Sequence, residues 1–286
     1  MTVIIGVHGI LNYRYYRSTR DLTAAGEAIS LDWTSWLRAG LTSAGLREDA
    51  MPSGVQVAYY AHHLHRGAAQ GPEDPGLLDD LEQDLLIEWV EQMQPARRAA
   101  QGPRLARARA AADWLTIRYG ALASRFAMMF VRELGSYLNE RTGHRRLTAR
   151  GAVTTAIRER GGSGEPVIVV AHSLGSVVVY EALWACPELR VDLLVTLGSP
   201  LGMPNVVFDR LQPAPSQGWG ERPPGVRRWI NLADAGDLVA LPRRGLGGRF
   251  RGIDWEAPAI TIADWDFHTA KSYLRSPVVA AHLNGL

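Results

Sequence analysis

Short apolar runs rich in β-branched residues recur along the chain near 3–8, 55–60, 166–171, 191–197, 226–232 and 259–263. Runs of this length bounded by Gly, Pro, Asn and Asp predict strands. Between them lie stretches whose apolar residues return every three or four positions, predicting helices near 20–45, 148–160, 174–185 and 275–283. Strand and helix therefore alternate. That order predicts an α/β class with a mostly parallel, doubly wound sheet, whose functional loops sit at the carboxyl ends of the strands.

The interval between the second and third runs is too long for one crossover. Gly71-Pro72-Glu73-Asp74-Pro75-Gly76 opens it as a turn-rich hinge. Leu77, Leu78, Leu81, Leu85, Leu86, Trp89, Val90 and Met93 then follow at helical spacing with acidic residues between them. After a second break from Pro95 to Pro103, an Ala- and Arg-rich segment runs to about Glu140, and its Trp114, Leu115, Ile117, Tyr119, Leu122, Phe126, Met129, Phe130 and Leu134 predict one broad apolar face. Residues 71–147 thus read as a helical insertion within a single domain covering 1–286. It is expected either to pack on the core like any helix pair, or to roof the carboxyl end of the sheet as a cap or lid that excludes water and lines an apolar pocket.

The strongest chemical signal is Val167-Ile168-Val169-Val170-Ala171-His172-Ser173-Leu174-Gly175, followed by the apolar helix Leu174–Leu183. A serine on a strand-to-helix turn, with small residues two before and two after it, reads as a nucleophile elbow. The helix starting at Leu174 turns free N–H groups and its positive end toward any negative charge developing beside Ser173. An ordinary helix cap at Ser173 is the competing reading, and it leaves Ala171 and Gly175 without a reason.

A serine hydroxyl needs a base, and that base needs a carboxylate. Val226–Ala233 predicts a strand and Asp234–Val239 the turn after it, so Asp234 and Asp237 both compete for the acid. Asp237 precedes a Leu-Val-Ala anchor, whereas Asp234 can close the turn on its own backbone. His268 falls in a loop between the strand-like Ala259–Ala263 and a final helix, where a general base is expected, with Asp266 as a weaker backup acid. His144 and His282 read as solvated side chains.

At the N-terminus, Thr2–Ile10 is a β-branched run broken by His8-Gly9. The turn there is expected to expose backbone N–H groups, and the backbone N–H of Ile10 pairs with that of Leu174 as an oxyanion hole. His8 reads as a structural hydrogen-bonder. Asn12, Tyr13, Arg14 and Tyr15 follow in a loop beside it, and Asn12 and Tyr13 are candidate substrate contacts. His62 is a third, because Ala61-His62-His63-Leu64-His65 follows the second strand toward the same face. Three close histidines raise a metal hypothesis. Adjacent strand residues point oppositely, however, and no acidic or cysteine partner is in view, so neither metal nor cofactor is expected.

Together, His8-Gly9-Ile10, Ala171-His172-Ser173-Leu174-Gly175, Thr196-Leu197-Gly198-Ser199-Pro200-Leu201 and His268 resemble the lipase and esterase branch of the α/β-hydrolase superfamily. The Ala-His-Ser form is similar to that of small bacterial lipases. Trp229-x-Asn231 followed by Asp237-Leu238-Val239-Ala240 resembles the acid loop of intracellular phospholipase-like and inositol-deacylase-like hydrolases, which favours Asp237 as the acid. The resemblance spans nearly the whole chain and is specific only at these motifs; the segment from about Gly67 to Thr148 carries none of it. It implies a reduced hydrolase core lacking the first strands of a full-size one, and a Ser173-His268-Asp237 acyl-enzyme mechanism on a small-molecule ester with an apolar part. Thioesters, lactones, amides or transfer to another acceptor use the same triad. The alternative of another class is a ligand- or protein-binding module on the same fold.

Composition narrows this further. With 286 residues, 47% of them hydrophobic, the chain can bury one sizeable core. Its 31 basic and 29 acidic residues give a net charge of +2, which argues against nucleic acid as a partner. The local basic excess at Arg97, Arg98, Arg104, Arg107 and Arg109 is compatible with peripheral contact on an anionic lipid surface. The single cysteine, Cys186, excludes an internal disulfide and reads as helix-end packing. Without a signal-peptide pattern, or an apolar run approaching the roughly 20 residues of a membrane span, a cytoplasmic location is expected.

Overall fold

Each apolar run of the sequence becomes a strand because a parallel sheet covered on both faces accepts apolar side chains at successive positions. The computed structural model describes residues 3–46, 52–67, 74–94, 102–139, 143–162, 164–241, 245–262 and 268–283. The chain runs β1 (Val3–Val7), α1 (Tyr13–Thr19), α2 (Leu22–Ser43), β2 (Gly54–Ala58), α3 (Ala61–Leu64), α4 (Asp80–Met93), α5 (Arg104–Tyr119), α6 (Ala121–Leu138), α7 (His144–Gly161), β3 (Ile168–His172) and α8 (Leu174–Ala185). It continues through β4 (Val191–Leu197), β5 (Gly220–Glu221), β6 (Val226–Asp234), β7 (Phe250–Arg251), β8 (Trp255–Ile260), α9 (Ala270–Arg275) and α10 (Pro277–Leu283). Six strands form one sheet in the order β2-β1-β3-β4-β6-β8, and every pairing in it is parallel. The short β5 and β7 pair separately.

Side chains alternate between the two faces of this sheet with period two. Ile4, Val55, Val57, Ile168, Val170, Leu193, Val195, Ile230 and Leu232 pack against Ile29, Trp33 and Leu37 of α2, Tyr273 and Leu274 of α9 and Val279 of α10. Ile5, Val7, Val169, Ala171 and Leu194 face the other way, into a larger cluster built with α4 through α8. The expected mixed α/β class with a parallel sheet is therefore present, with helices on both faces. Among the described residues no helix is long and apolar enough to cross a membrane.

Several local expectations are corrected. Residues 13–19 form α1 where a loop was expected, and β2 ends at Ala58 before the short α3. The last strand lies at Trp255–Ile260 rather than 259–263, because its register is fixed earlier: Asp254 accepts the Trp229 N–H at 2.8 Å and returns its own N–H to the Trp229 carbonyl. The Ala- and Arg-rich segment is two helices. Gly120, at φ 88°, separates α5 from α6, so Ile117 and Leu122 point outward at 85% and 80% exposure instead of joining one continuous face. Leu77 likewise sits exposed in a turn ahead of α4, which starts at a capping box made by Asp79 and Glu82.

The arginines of α5 are paired. Arg104 bonds Asp80 and Asp84, Arg107 bonds Glu91 at 2.9 Å and Arg109 lies 3.7 Å from Asp74. Their charge ties α5 to α4 and the turn before it. Arg97 and Arg98 lie outside the described residues, as do Gly71–Glu73 of the hinge.

Deeper in the same layer, Glu181 of α8 is fully buried and meets Arg146 of α7 in a two-pronged ion pair. It also accepts the Tyr137 hydroxyl at 2.6 Å and the Gln212 N–H at 3.0 Å. This carboxylate joins α6, α7, α8 and the segment after β4. Removing one partner of a buried pair strands the other charge, at a cost of about 3–5 kcal/mol. Glu181→Ala is therefore expected to lose stability on that scale in a denaturant titration, and Glu181→Gln to lose less; a loss under about 1 kcal/mol for the alanine variant would show the network to be dispensable.

Candidate active site

β3 delivers the chain to Ser173 at the carboxyl end of the sheet, where it turns at φ 54°, ψ −131° before α8 begins. That conformation costs a residue with a side chain about 1–3 kcal/mol and persists only where its surroundings enforce it. The Ser173 N–H is held by the Leu197 carbonyl at 2.9 Å. Two glycines supply the room. A Cβ on Gly9 would lie 2.6 Å from the Ser173 Cβ, and one on Gly175 would collide with the Val7 carbonyl. Ser173 caps no helix N–H with its side chain. Its Oγ instead lies 2.7 Å from His268 Nε2.

The other ring nitrogen of His268 meets a carboxylate: Nδ1 lies 2.7 and 2.9 Å from the two oxygens of Asp237. A proton on Nδ1 serves Asp237 and leaves Nε2 to accept from the serine. All three residues are buried. Asp237 is fixed by three further donors, the N–H groups of Val239 at 2.8 Å and Ala240 at 3.3 Å and the hydroxyl of Tyr273 at 2.7 Å. Burial first and the Asp237 charge second push the Tyr273 hydroxyl well above its usual value, so it keeps the proton it donates.

Of the two competing aspartates, only Asp237 touches His268. Asp234 accepts the Gly236 N–H at 2.7 Å and the Ile262 N–H at 2.6 Å, tying the end of β6 to the chain leaving β8. Asp264 and Asp266 lie outside the described residues. His144 is exposed, whereas His282 is half-buried against Trp255, with ring centroids 3.8 Å apart, rather than solvated. Two further residues contribute. Tyr273 arrives from α9, and Gly198, at φ 53°, leaves space where a Cβ would sit 2.6 Å from the Asp237 carboxylate. Gly198 belongs to the Thr196–Leu201 motif of the sequence, whereas nothing in the spacing of Tyr273 distinguishes it from a core residue.

Facing Ser173, the loop after β1 is pinned from several sides. His8 is fully buried, lies 2.8 Å from the Gly9 carbonyl through Nδ1, accepts the Tyr60 N–H on Nε2 and stacks on the Tyr60 ring. Burial, above all, drives its pKa down to about 4. Asn12 donates its side-chain amide to the carbonyls of Gly9 and Ile10 at 3.0 and 2.9 Å. Those carbonyls are thereby engaged, while among the described residues the Ile10 N–H meets no backbone or side-chain acceptor. The Leu174 N–H, first in α8, belongs to the four that a helix leaves without an internal partner. Gly9 packs directly on Ser173, so both N–H groups belong to segments flanking its hydroxyl.

A cavity of about 210 Å³ opens beside His268, walled by Trp33, Trp36 and Phe126 and rimmed by Asn12, Arg14 and Lys271. Phe126, from α6, sets its ring edge-on to His268 with centroids 5.2 Å apart. Tyr13 and His62 do not line this cavity. Tyr13 stacks on His65 at 3.5 Å, and His62 packs on Tyr59 behind the loop. His62 and His63 sit in α3, not in a strand, and their rings lie 3.6 Å apart. Among the described residues no three histidine, cysteine or acidic side chains are grouped as metal ligands.

Comparison of the chain with family models, with curated proteins and with solved structures returned no match.

Burial also lowers the pKa of His63 to about 4 and that of His172 well below 6.5. A histidine whose folded pKa is depressed is protonated more readily in the unfolded chain, so its stabilising effect is full above pH 6.5 and is lost as pH falls toward 4. For the fully buried His8, a drop from 6.5 to about 4 corresponds to roughly 3 kcal/mol. Glu133, raised from 4.5 to about 7, contributes an opposite slope of at most one proton between those values, set against the three lowered histidines. Urea midpoints measured from pH 7.5 to 4.5 are expected to fall with acidification; a flat or rising profile would contradict the neutral, buried state of these imidazoles.

Proposed function

We propose that this protein is a serine hydrolase that cleaves a carboxylic ester with an apolar acyl or alcohol part by two-step acyl transfer. On this reading the parallel sheet is a reduced α/β-hydrolase core and residues 71–147 form its helical cap. The observation that carries it is the continuous chain Ser173 Oγ, His268 Nε2, His268 Nδ1 and Asp237, linked at 2.7 Å on either side of the imidazole and mounted on a left-handed turn.

Each residue then has one task. His268 takes the Ser173 proton as Oγ bonds to the ester carbonyl carbon, and the carbonyl oxygen becomes an anion that the Ile10 and Leu174 N–H groups receive. As the carbon–oxygen bond to the alcohol breaks, His268 Nε2 returns the proton to the departing oxygen. Water repeats the sequence on the acyl-serine and releases the acid. Asp237 keeps Nδ1 protonated and stabilises the imidazolium, and its bonds to Val239, Ala240 and Tyr273 stop it from turning away.

The cavity beside His268 favours an apolar substrate portion, since Trp33, Trp36 and Phe126 form its walls. α6 contributes Phe126 there, in keeping with a cap, but α2 supplies two of the three aromatic walls. Docking on an anionic lipid surface gains no support from Arg104, Arg107 and Arg109, whose charges are directed to carboxylates of α4 and the turn before it.

Ser173→Ala is expected to abolish ester turnover and labelling by a fluorophosphonate while leaving the fold intact. Asp237→Asn is expected to lower kcat by about three to four orders of magnitude, because the amide misplaces the His268 proton. Asp234→Asn, which alters a turn, should cost less than tenfold. The opposite ranking of the two aspartates, or residual activity within tenfold of wild type in Ser173→Ala, would sink the assignment.

Substrate class is read from a series of p-nitrophenyl esters. Each buried methylene contributes roughly 0.8 kcal/mol, so kcat/KM should rise about fourfold per added carbon until the cavity is filled. Trp36→Ala is expected to flatten that rise more than it slows acetate hydrolysis. A flat series in the wild-type enzyme would exclude an apolar acyl site.

A further inference from the structure

Glu133 of α6 is a carboxylate that the triad does not use, 6% exposed and far from it in sequence. Its Oε1 accepts the backbone N–H of Leu11 at 2.9 Å, across 122 positions of chain. Leu11 turns at φ 68°, a left-handed conformation that costs a residue with a Cβ about 1–2 kcal/mol. Its side chain does not secure it, being 40% exposed. What secures the turn is polar: Asn12 holds the carbonyls of Gly9 and Ile10, and Glu133 holds the N–H immediately after them. Beside this contact lies a small cavity of about 70 Å³, lined by Leu11, Met129, Arg132 and Glu133.

Ile10 lies between these two fastenings. Its N–H can serve an oxyanion only while the peptide unit that carries it keeps its orientation. Resting on the serine-hydrolase reading above, we propose that Glu133 is a positioning residue, which through Leu11 aims the Ile10 N–H at the oxyanion and so makes the oxyanion hole depend on the helical insertion. The oxyanion loop and the nucleophile are thus aligned by different parts of the chain: Ser173 by the core sheet, Ile10 by α6.

The same carboxylate makes the device sensitive to pH. Burial raises Glu133 to about 7, against the Leu11 N–H, which lowers it. Burial, helped by the Glu133 charge, pushes Tyr59 and Tyr60 after β2 upward, so they stay protonated, and the imidazoles packed on those tyrosines, His8 after β1 and His62 of α3, are pushed down by burial and stay neutral near pH 7, as does His63. Arg132, the preceding residue of α6, acts on Glu82 of α4. Ionised Glu133 grips the N–H more strongly than its protonated form does. The hold on Leu11 therefore tightens as pH rises through about 7 and slackens below it.

The test compares wild type, Glu133→Gln and Glu133→Ala by kcat and KM on a p-nitrophenyl ester from pH 5 to 9, by amide hydrogen exchange over residues 8–16, and by urea midpoint. Glu133→Ala is expected to lower kcat at least tenfold with KM changed less than threefold, and to speed exchange of this segment at least tenfold. Glu133→Gln keeps an acceptor oxygen, so it should recover most of kcat and of the protection at pH 8. Its acid limb should follow one proton where wild type follows two. Wild-type kcat and exchange in Glu133→Ala, or identical acid limbs in wild type and Glu133→Gln, would overturn the proposal. If the alanine variant does not fold, the glutamine pH profile decides. A wild-type protein with neither turnover nor fluorophosphonate labelling would instead remove the hydrolase reading, and the exchange rates alone would then show whether Glu133 holds the loop.

Discussion

The left-handed turn at Ser173 is the constraint on which the rest of the site depends. A strand entering and a helix leaving through one residue at φ 54° bring three segments together: the end of β1, the end of β3 and the first turn of α8. They meet only because Gly9 and Gly175 have no side chains. Sheet order follows the same logic. β1 and β4 flank β3, so the loop after β1 reaches Ser173 from one side while the Leu197 carbonyl at the end of β4 takes the Ser173 N–H from the other. The turn is strained locally and paid for by the fully buried parallel core on which it stands.

Beyond β4 the chain assembles the partner for that serine by saturating one carboxylate. Asp237 lies after β6, His268 after β8 and Tyr273 on α9, and no two of these are on one element. Asp234, three residues earlier, closes the turn and anchors the chain beyond β8, so the two aspartates divide a structural and a site-directed task. The positive φ of Gly198 belongs to the same requirement, because only a glycine leaves the Asp237 carboxylate its position. Tyr273 joins both, donating to Asp237 and accepting the Asp234 N–H at 2.8 Å.

Much of this was legible because it rests on local signals. Strand runs and the small residues around Ser173 are patterns that the backbone itself demands, the chain order of serine, aspartate and histidine is what the hydrolase resemblance implies, and the residues these picked out lie together. Elements governed by tertiary contacts were not legible. α1 and α3, in place of the expected loop and strand, pack on each other through Tyr13 on His65 and Tyr16 on His62, and ring contacts between residues some tens of positions apart leave no periodicity in the sequence. For the same reason Tyr13 and His62 turn away from the cavity, whereas Trp33 and Trp36, read only as part of a long helix, face it. Glu133 was hidden in the amphipathic pattern of α6, where a lone acid looks like a solvated position. A single glycine inside an apolar helical pattern carries no sign of a break, yet Gly120, with its φ of 88°, ends one helix and starts the next.

Three imidazoles crowd the nucleophile, and the site distinguishes them by what each can do with a proton. His172 precedes Ser173 directly and its ring lies 4.8 Å from that of His268, yet its Nε2 is buried with no hydrogen-bond partner among the described residues. Burial, the nearby His268 and His8 together push its pKa well below 6.5, so it cannot accept a proton near neutral pH. His8 is held neutral by burial and engages both nitrogens with backbone. His268 alone has a carboxylate on one nitrogen and the serine on the other. An imidazolium forming there gains an opposite charge at 2.7 Å, whereas one forming on either neighbour would be buried without compensation. Proximity to Ser173 thus does not select the base; the position of Asp237 does, and the fold places that carboxylate against one ring only.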